Sequence, residues 1–333
     1  MPRALPFVLT SALAAVSACE CPEPKPDAAT SPWSEGPRLP APRLESGVAA
    51  IGQRLVVVGG FDQNITQGLR ITTEVLSLDL LAGQWTQLRE APVAWTHANV
   101  AGASATLYLL GGLETTAYLA RGESFALDLD LPDPQWRSIA PMPAGMERGA
   151  AAVVSFPPHI YLLGGTSTSD ALSTALRYDF STDSWSMLPD LPGPRSHAAA
   201  MRQEDGTLII AGGFSSLDSS RPLGDVWALP TNATAWEPRA PLRRARGGCA
   251  FGVVFGHLIC AGGEAGSGAV ETVETYDPNT DTWTTQPDMP ERRAGARGAV
   301  VGGRLFVPGG ASALQFEPTT SLYVFTFLDT LQP

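Results

Sequence analysis

The sequence predicts an all-β chain folded as a six-bladed β-propeller, and two periodic markers predict it. Gly-Gly pairs that end apolar runs stand at Gly59-Gly60, Gly111-Gly112, Gly164-Gly165, Gly212-Gly213, Gly262-Gly263 and Gly309-Gly310, with spacings of 52, 53, 48, 50 and 47. Tryptophans keep the same clock at Trp33, Trp85, Trp136, Trp185, Trp236 and Trp283, separated by 52, 51, 49, 51 and 47. Two independent markers with one shared period specify a six-fold array of supersecondary units.

Each unit reads as four short strands. In the fifth, residues 249–255 and 257–261 are apolar runs parted by a turn at Gly256. Residues 270–277 are β-prone, 278–281 form a turn, and Trp283 opens a fourth strand that ends at Pro287. The second strand is the most apolar of each unit, as in residues 55–58, 107–110, 160–163, 208–211 and 305–307. Continuous rather than alternating apolarity means burial on both faces, as for a blade held between two neighbours. The glycines suit a strand end that needs positive φ near a crowded axis. The tryptophans offer large flat area to wedge between blades.

An Arg, an apolar strand ending in Gly-Gly, a Tyr-Asp strand end and a Trp together resemble the Kelch repeat family. Tyr178-Asp179 and Tyr276-Asp277 match best, each Asp six residues before its Trp, and Leu78-Asp79 is a looser version. The resemblance covers residues 33–328 and implies a six-bladed Kelch-type propeller. The ends say how the ring closes. The last unit has its Gly-Gly and a third strand at residues 322–327 but no following Trp, whereas Trp33 precedes any Gly-Gly. The N-terminal strand around Trp33 is therefore expected to complete the last blade, removing the open seam.

The domain organisation follows. Residues 1–18 read as a secretory signal: Arg3, an apolar stretch over 4–16, then Ser17-Ala18 before Cys19. The apolar run is too short to span a membrane. Val16-Ser17-Ala18-Cys19 resembles the lipobox of bacterial lipoproteins, which implies cleavage before Cys19 and its lipidation. The alternative is ordinary cleavage after Ala18. Residues 19–31 form a Pro-rich tether, and 32–333 the propeller. With 33 acidic against 22 basic residues and a formal net charge of −11, nothing here suits nucleic acid.

Candidate site residues come from the repeat and its exceptions. Arg43, Arg148, Arg195, Arg246 and Arg293 begin the first strand of five units, while Trp95 takes that place in the second. A ring of guanidinium groups suits anions, but a residue recurring in five of six units fits an architectural brace better. The departures are more informative for binding: Glu45, His97 and His197 two residues after that position, and the extra Arg297. Loops after the Gly-Gly pairs carry Asp62, Glu114, Asp170, Asp218 and Glu264 and, in the family, share a face with the arginines.

Metal and redox chemistry find little footing in the sequence. His97 and His197 lie two blades apart without a ligand partner at metal spacing, and the ligand set of the copper oxidases with this fold cannot be assembled. No metal and no cofactor are expected. Cys249 and Cys260 tempt a disulfide, but a hairpin centred on Gly256-His257 puts them about 13 Å apart at strand rise, so both are expected as buried apolar side chains. Cys21 remains a free thiol candidate. No nucleophile elbow or phosphate loop stands out. The expected protein is thus an exported, lipid-anchored monomer that binds a protein or glycan through its loop face. The competing readings are an enzyme resembling bacterial sialic-acid epimerases, with Arg, His and carboxylates as an acid–base set, and a structural envelope spacer.

Overall fold

Short apolar strands separated by turn residues leave little choice but antiparallel sheets, and each repeat supplies one. The computed structural model describes residues 31–63, 68–217, 220–266, 268–312 and 317–327. The expected leader, Cys19, Cys21 and nearly all of the tether lie outside the described residues, as does Asp218. Among the described residues every regular element is a strand.

Blade one runs β2 (Gly47–Ile51), β3 (Arg54–Val58), β4 (Val75–Asp79) and β5 (Gln84–Gln87) in spatial order. Blade two is β6 (Val100–Ala103), β7 (Thr106–Glu114), β8 (Leu119–Asp128) and β9 (Trp136–Ile139). Blade three is β10 (Ala152–Phe156), β11 (His159–Leu163), β12 (Ala175–Asp179) and β13 (Ser184–Leu188). Blade four is β14 (Ala199–Arg202), β15 (Leu208–Ala211), β16 (Val226–Leu229) and β17 (Glu237–Arg239). Blade five uses β18 (Ala250–Val254), β19 (His257–Ala261), β22 (Val273–Asp277) and β23 (Thr282–Gln286), with a small hairpin of β20 (Glu264–Ala265) and β21 (Gly268–Ala269).

Blade six is β24 (Ala299–Val301), β25 (Arg304–Pro308), β26 (Leu322–Thr326) and, last, β1 (Trp33–Glu35). Trp33 pairs with Phe325 and packs on its ring at 4.9 Å between centroids. The expected N-terminal closure is what the chain adopts. First strands of successive blades contact one another around the whole ring, including β2 against β24. Each of the six periodic tryptophans also latches its blade to the one before: Trp33 Nε1 donates to Pro287, Trp85 to Pro37, Trp136 to Arg89, Trp185 to Ala140, Trp236 to Pro189 and Trp283 to Ala240, always to a main-chain oxygen.

The first glycine of each pair is required by backbone crowding. At Gly164, φ is 62° and an added Cβ would lie 2.2 Å from the Arg195 carbonyl oxygen of the next blade. The core is accordingly split into interblade slabs, such as Val56, Val58, Val100, Leu107 and Leu109 between blades one and two.

One expectation fails. Cys249 and Cys260 form a disulfide, with their Cα atoms 5.4 Å apart. The two-residue turn is Phe255-Gly256, at φ of 48° and 79°, so Val254 pairs with His257 and Phe251 with Cys260. Moving the turn by one residue shifts every pairing by two. Cys249 then becomes the diagonal neighbour of Cys260, within the Cα separation a disulfide allows.

Candidate functional site at the propeller mouth

The position two residues after each repeated arginine forms a ring around the axis. Its members are Glu45, His97, Ala150, His197, Gly248 and Gly295, all with φ between 52° and 65°. Five of the six donate their N–H to the carbonyl of the member in the preceding blade: Glu45 to Gly295, His97 to Glu45, Ala150 to His97, His197 to Ala150 and Gly248 to His197, at 2.8–2.9 Å. This backbone belt explains why the left-handed conformation recurs. Glycine adopts it freely, whereas side chains carry a cost there. Glu, His and His at three of six belt positions are therefore departures that architecture does not ask for.

Small residues on the other three blades leave those side chains room to converge. A Cβ on Gly295 would lie 2.8 Å from Glu45 Oε1, so the carboxylate rests over that glycine. His97 Nε2 is 3.4 Å and His197 Nε2 3.9 Å from Glu45 Oε2. The imidazoles meet edge to face at 5.1 Å, with Tyr118 against His97 at 5.5 Å and Phe214 against His197 at 5.7 Å. Each His Nδ1 is 3.0 Å from the hydroxyl of the residue before it, Thr96 or Ser196.

Arg297 completes the cluster. Two residues beyond Gly295, it stands where other blades have Gly47, Asn99, Ala152, Ala199 and Ala250. It reaches across the axis from blade six to blade three, donating from Nη1 to Ala151 O at 3.3 Å. Its Nη2 is buried with no hydrogen-bond partner. Burial raises the Glu45 carboxyl to about 6 despite the nearby Arg297. Burial, with a smaller push from Arg297, lowers His97 to about 3, and His197 is lowered for the same first reason. The histidines are thus neutral at ordinary pH, with one ring nitrogen of each facing a carboxylate.

The channel itself is a cavity of about 250 Å³ lined by first strands of all six blades, with Val48, Val100, Val154, Met201, Phe251 and Val300 among its residues. The five repeated arginines are buried within their own blades instead of lining this space. Arg148 donates to the carbonyls of Gly164 and Thr174 and to Thr174 Oγ1. Arg195 holds Asp225 at 2.7 Å and Arg246 holds Glu274 at 3.2 Å. Arg43 pairs with Glu74, and Arg293 with Glu291 and Ser321. Trp95, in the arginine's place in blade two, is buried beside Phe125. The structure therefore separates the residues named from sequence into braces (Arg43, Arg148, Arg195, Arg246, Arg293, Trp95) and a cluster at the mouth (Glu45, His97, His197, Arg297).

The separation of the histidines by two blades, taken as grounds against a metal set, is overturned: the belt brings them into contact across the mouth. Tyr118, Phe214 and the hydroxyls of Thr96 and Ser196 were not singled out from sequence. A signal for the hydroxyls existed, because Thr-His and Ser-His occur at the same repeat position in the two units that carry His there.

Comparisons with known proteins agree with this architecture. A profile described as the KLHDC2/KLHL20/DRC7 Kelch-repeats domain matches residues 149–330, and one described as the Kelch motif matches 42–92. The Kelch-like protein terF of Aspergillus terreus is 31% identical over 323 residues, covering 91% of this chain and 70% of its own. Kelch-like protein 38 of Rattus norvegicus is 26% identical over 77% of this chain, which spans only 42% of that relative's length. Among solved structures, the one described as "Structure of YjhT" superposes with a TM-score of 0.74 at 17% identity, covering 89% of this chain and 98% of that one. The chain belongs to the Kelch-repeat family.

Proposed function

We propose that this Kelch propeller is an exported, lipid-anchored binding module that takes an acidic group of a protein or glycan partner at the propeller mouth. Kelch propellers typically serve as protein-interaction modules, and the coarse function rests on family membership. One observation carries the finer reading. Arg297 leaves its terminal Nη2 buried and unpartnered at the mouth, whereas Arg43, Arg195 and Arg293 leave only Nε so and have Nη2 held by a carboxylate. A buried guanidinium nitrogen calls for an acceptor, and a carboxylate supplies the strongest. Export is supported by the leader-like residues 1–18 and by the Cys249–Cys260 disulfide, which suits an oxidising compartment. The lipid anchor rests on Cys19 at the end of the lipobox-like Val16-Ser17-Ala18-Cys19.

Two experiments test this. Fatty-acid labelling should mark the wild-type chain and not Cys19→Ala, and an unlabelled wild type refutes the anchor. Glycan arrays and crosslinking to cell-envelope extract should yield a ligand bound by wild type and lost in Arg297→Met. Equal capture by both proteins refutes the mouth as the recognition point, and no specific ligand for either favours a spacer.

A second reading is favoured by the Glu45 carboxyl raised to about 6 beside a neutral imidazole. A group poised near neutrality can move protons at a sugar carbon or oxygen, as in the sialic-acid epimerases. Nuclear magnetic resonance of sialic acid anomers with wild type and Glu45→Gln separates the two readings. Catalysed interconversion lost in the variant establishes the enzyme, and no acceleration over buffer leaves the binding module.

A further inference from the structure

We infer that Glu45, His97 and His197 form a binding site for a divalent first-row transition metal of the zinc class, open on one side to an anionic ligand. One possible ligand atom from each of Glu45, His97 and His197 lies within 4.8 Å of the other two. Donors around tetrahedral zinc, at bonds of about 2.0–2.1 Å, stand roughly 3.3–3.4 Å apart. The two imidazole-to-carboxylate gaps, 3.4 and 3.9 Å, are already near that span. Side-chain rotations can close the rest.

Hydrogen-bond bookkeeping points the same way. The Thr96 hydroxyl donates to the Glu45 carbonyl oxygen at 3.3 Å, so towards His97 it accepts, and Nδ1 carries the proton. That tautomer leaves the Nε2 lone pair facing a carboxylate oxygen. Two acceptors face each other, and a cation between them resolves the conflict. The Ser196 hydroxyl stands 3.0 Å from His197 Nδ1, the kind of outer partner that orients metal-binding imidazoles. The belt of backbone bonds fixes all three Cα positions beforehand.

Two imidazoles and one carboxylate suit zinc and its first-row neighbours, whereas calcium and magnesium want oxygen cages. Three protein ligands leave a coordination position open. Arg297, with its unpartnered Nη2, stands where an anion on that position would be received. Its positive charge opposes a bare cation, so it should weaken metal binding until the anion arrives.

The test needs no partner, so its outcome is independent of the recognition reading. Protein without a polyhistidine tag is stripped with a chelator and titrated with zinc(II) alone, then with magnesium. One zinc per chain and no magnesium are expected. His97→Ala and Glu45→Gln should weaken zinc by more than about a hundredfold, and Thr96→Val by about 10–100-fold. Arg297→Met should tighten it. Should the variants fold poorly, cobalt(II) on wild type gives a second reading, since X-ray absorption must show two imidazoles. No stoichiometric zinc, or cobalt without imidazole ligands, overturns the site and leaves the facing acceptors bridged by a proton.

Discussion

Asp183 shows how a single turn residue ties two blades together. Its Oδ1 accepts from the Tyr178 hydroxyl at 2.6 Å and from the Ala140 N–H of the preceding blade at 2.8 Å. Those bonds, the tyrosine's first, hold its carboxyl below the usual aspartate range. A lowered folded value means the stabilisation is present above the unfolded value near 4 and fades as pH falls through the folded one. Asp183→Ala should therefore lose about 1 kcal/mol at pH 7. Urea titrations at pH 7 and pH 3 should find the gap from wild type shrinking at the lower pH. Gly164 is the other instructive residue. Gly164→Ala places a methyl 2.2 Å from the Arg195 carbonyl oxygen at a φ of 62°, and a loss of about 2 kcal/mol or more is expected in the same titration.

At the scale of elements, β1 and the β18–β19 hairpin show what pattern can and cannot supply. β1 was legible because counting works: six glycine pairs and a tryptophan without a blade leave one place for it. Deleting residues 32–40 removes Trp33, its ring contact with Phe325 and its latch to Pro287. Scanning calorimetry should show a melting temperature lower by about 10 °C or more, since burial of one such side chain alone is worth about 3–5 kcal/mol. The hairpin was not legible. A type of turn with two left-handed residues can include Phe255 as readily as His257, and hydrophobic pattern does not choose between them when both strands are apolar. The pairing of Cys249 with Cys260 hung on that choice. Closing the short loop between them should contribute about 3 kcal/mol, so treatment with a reducing agent should lower the melting temperature of wild type but not of Cys249→Ala.

For the whole molecule, the repeat and its exceptions divide the labour. Period alone revealed the blades, but it could not show that belt positions in blades one, two and four come together, because convergence depends on the ring's closing and on the small residues at Ala150, Gly248 and Gly295. The residues at the mouth were visible as departures; their contacts were not. The bracing arginines, by contrast, recur in five blades because a buried guanidinium ties strand ends together within a blade, through carbonyls at Arg148, Arg195 and Arg246 and through carboxylates at Arg43 and Arg293. Functional groups held in a crowded polar cluster commonly cost stability, while buried braces supply it. A comparison of melting temperatures for Arg148→Ala and His197→Ala reads this division directly. Arg148→Ala should fall by about 5 °C or more, having taken the guanidinium donor from the Gly164 carbonyl and both guanidinium bonds from Thr174, and His197→Ala should stay at or above wild type. A steep fall in His197→Ala with little change in Arg148→Ala would contradict it.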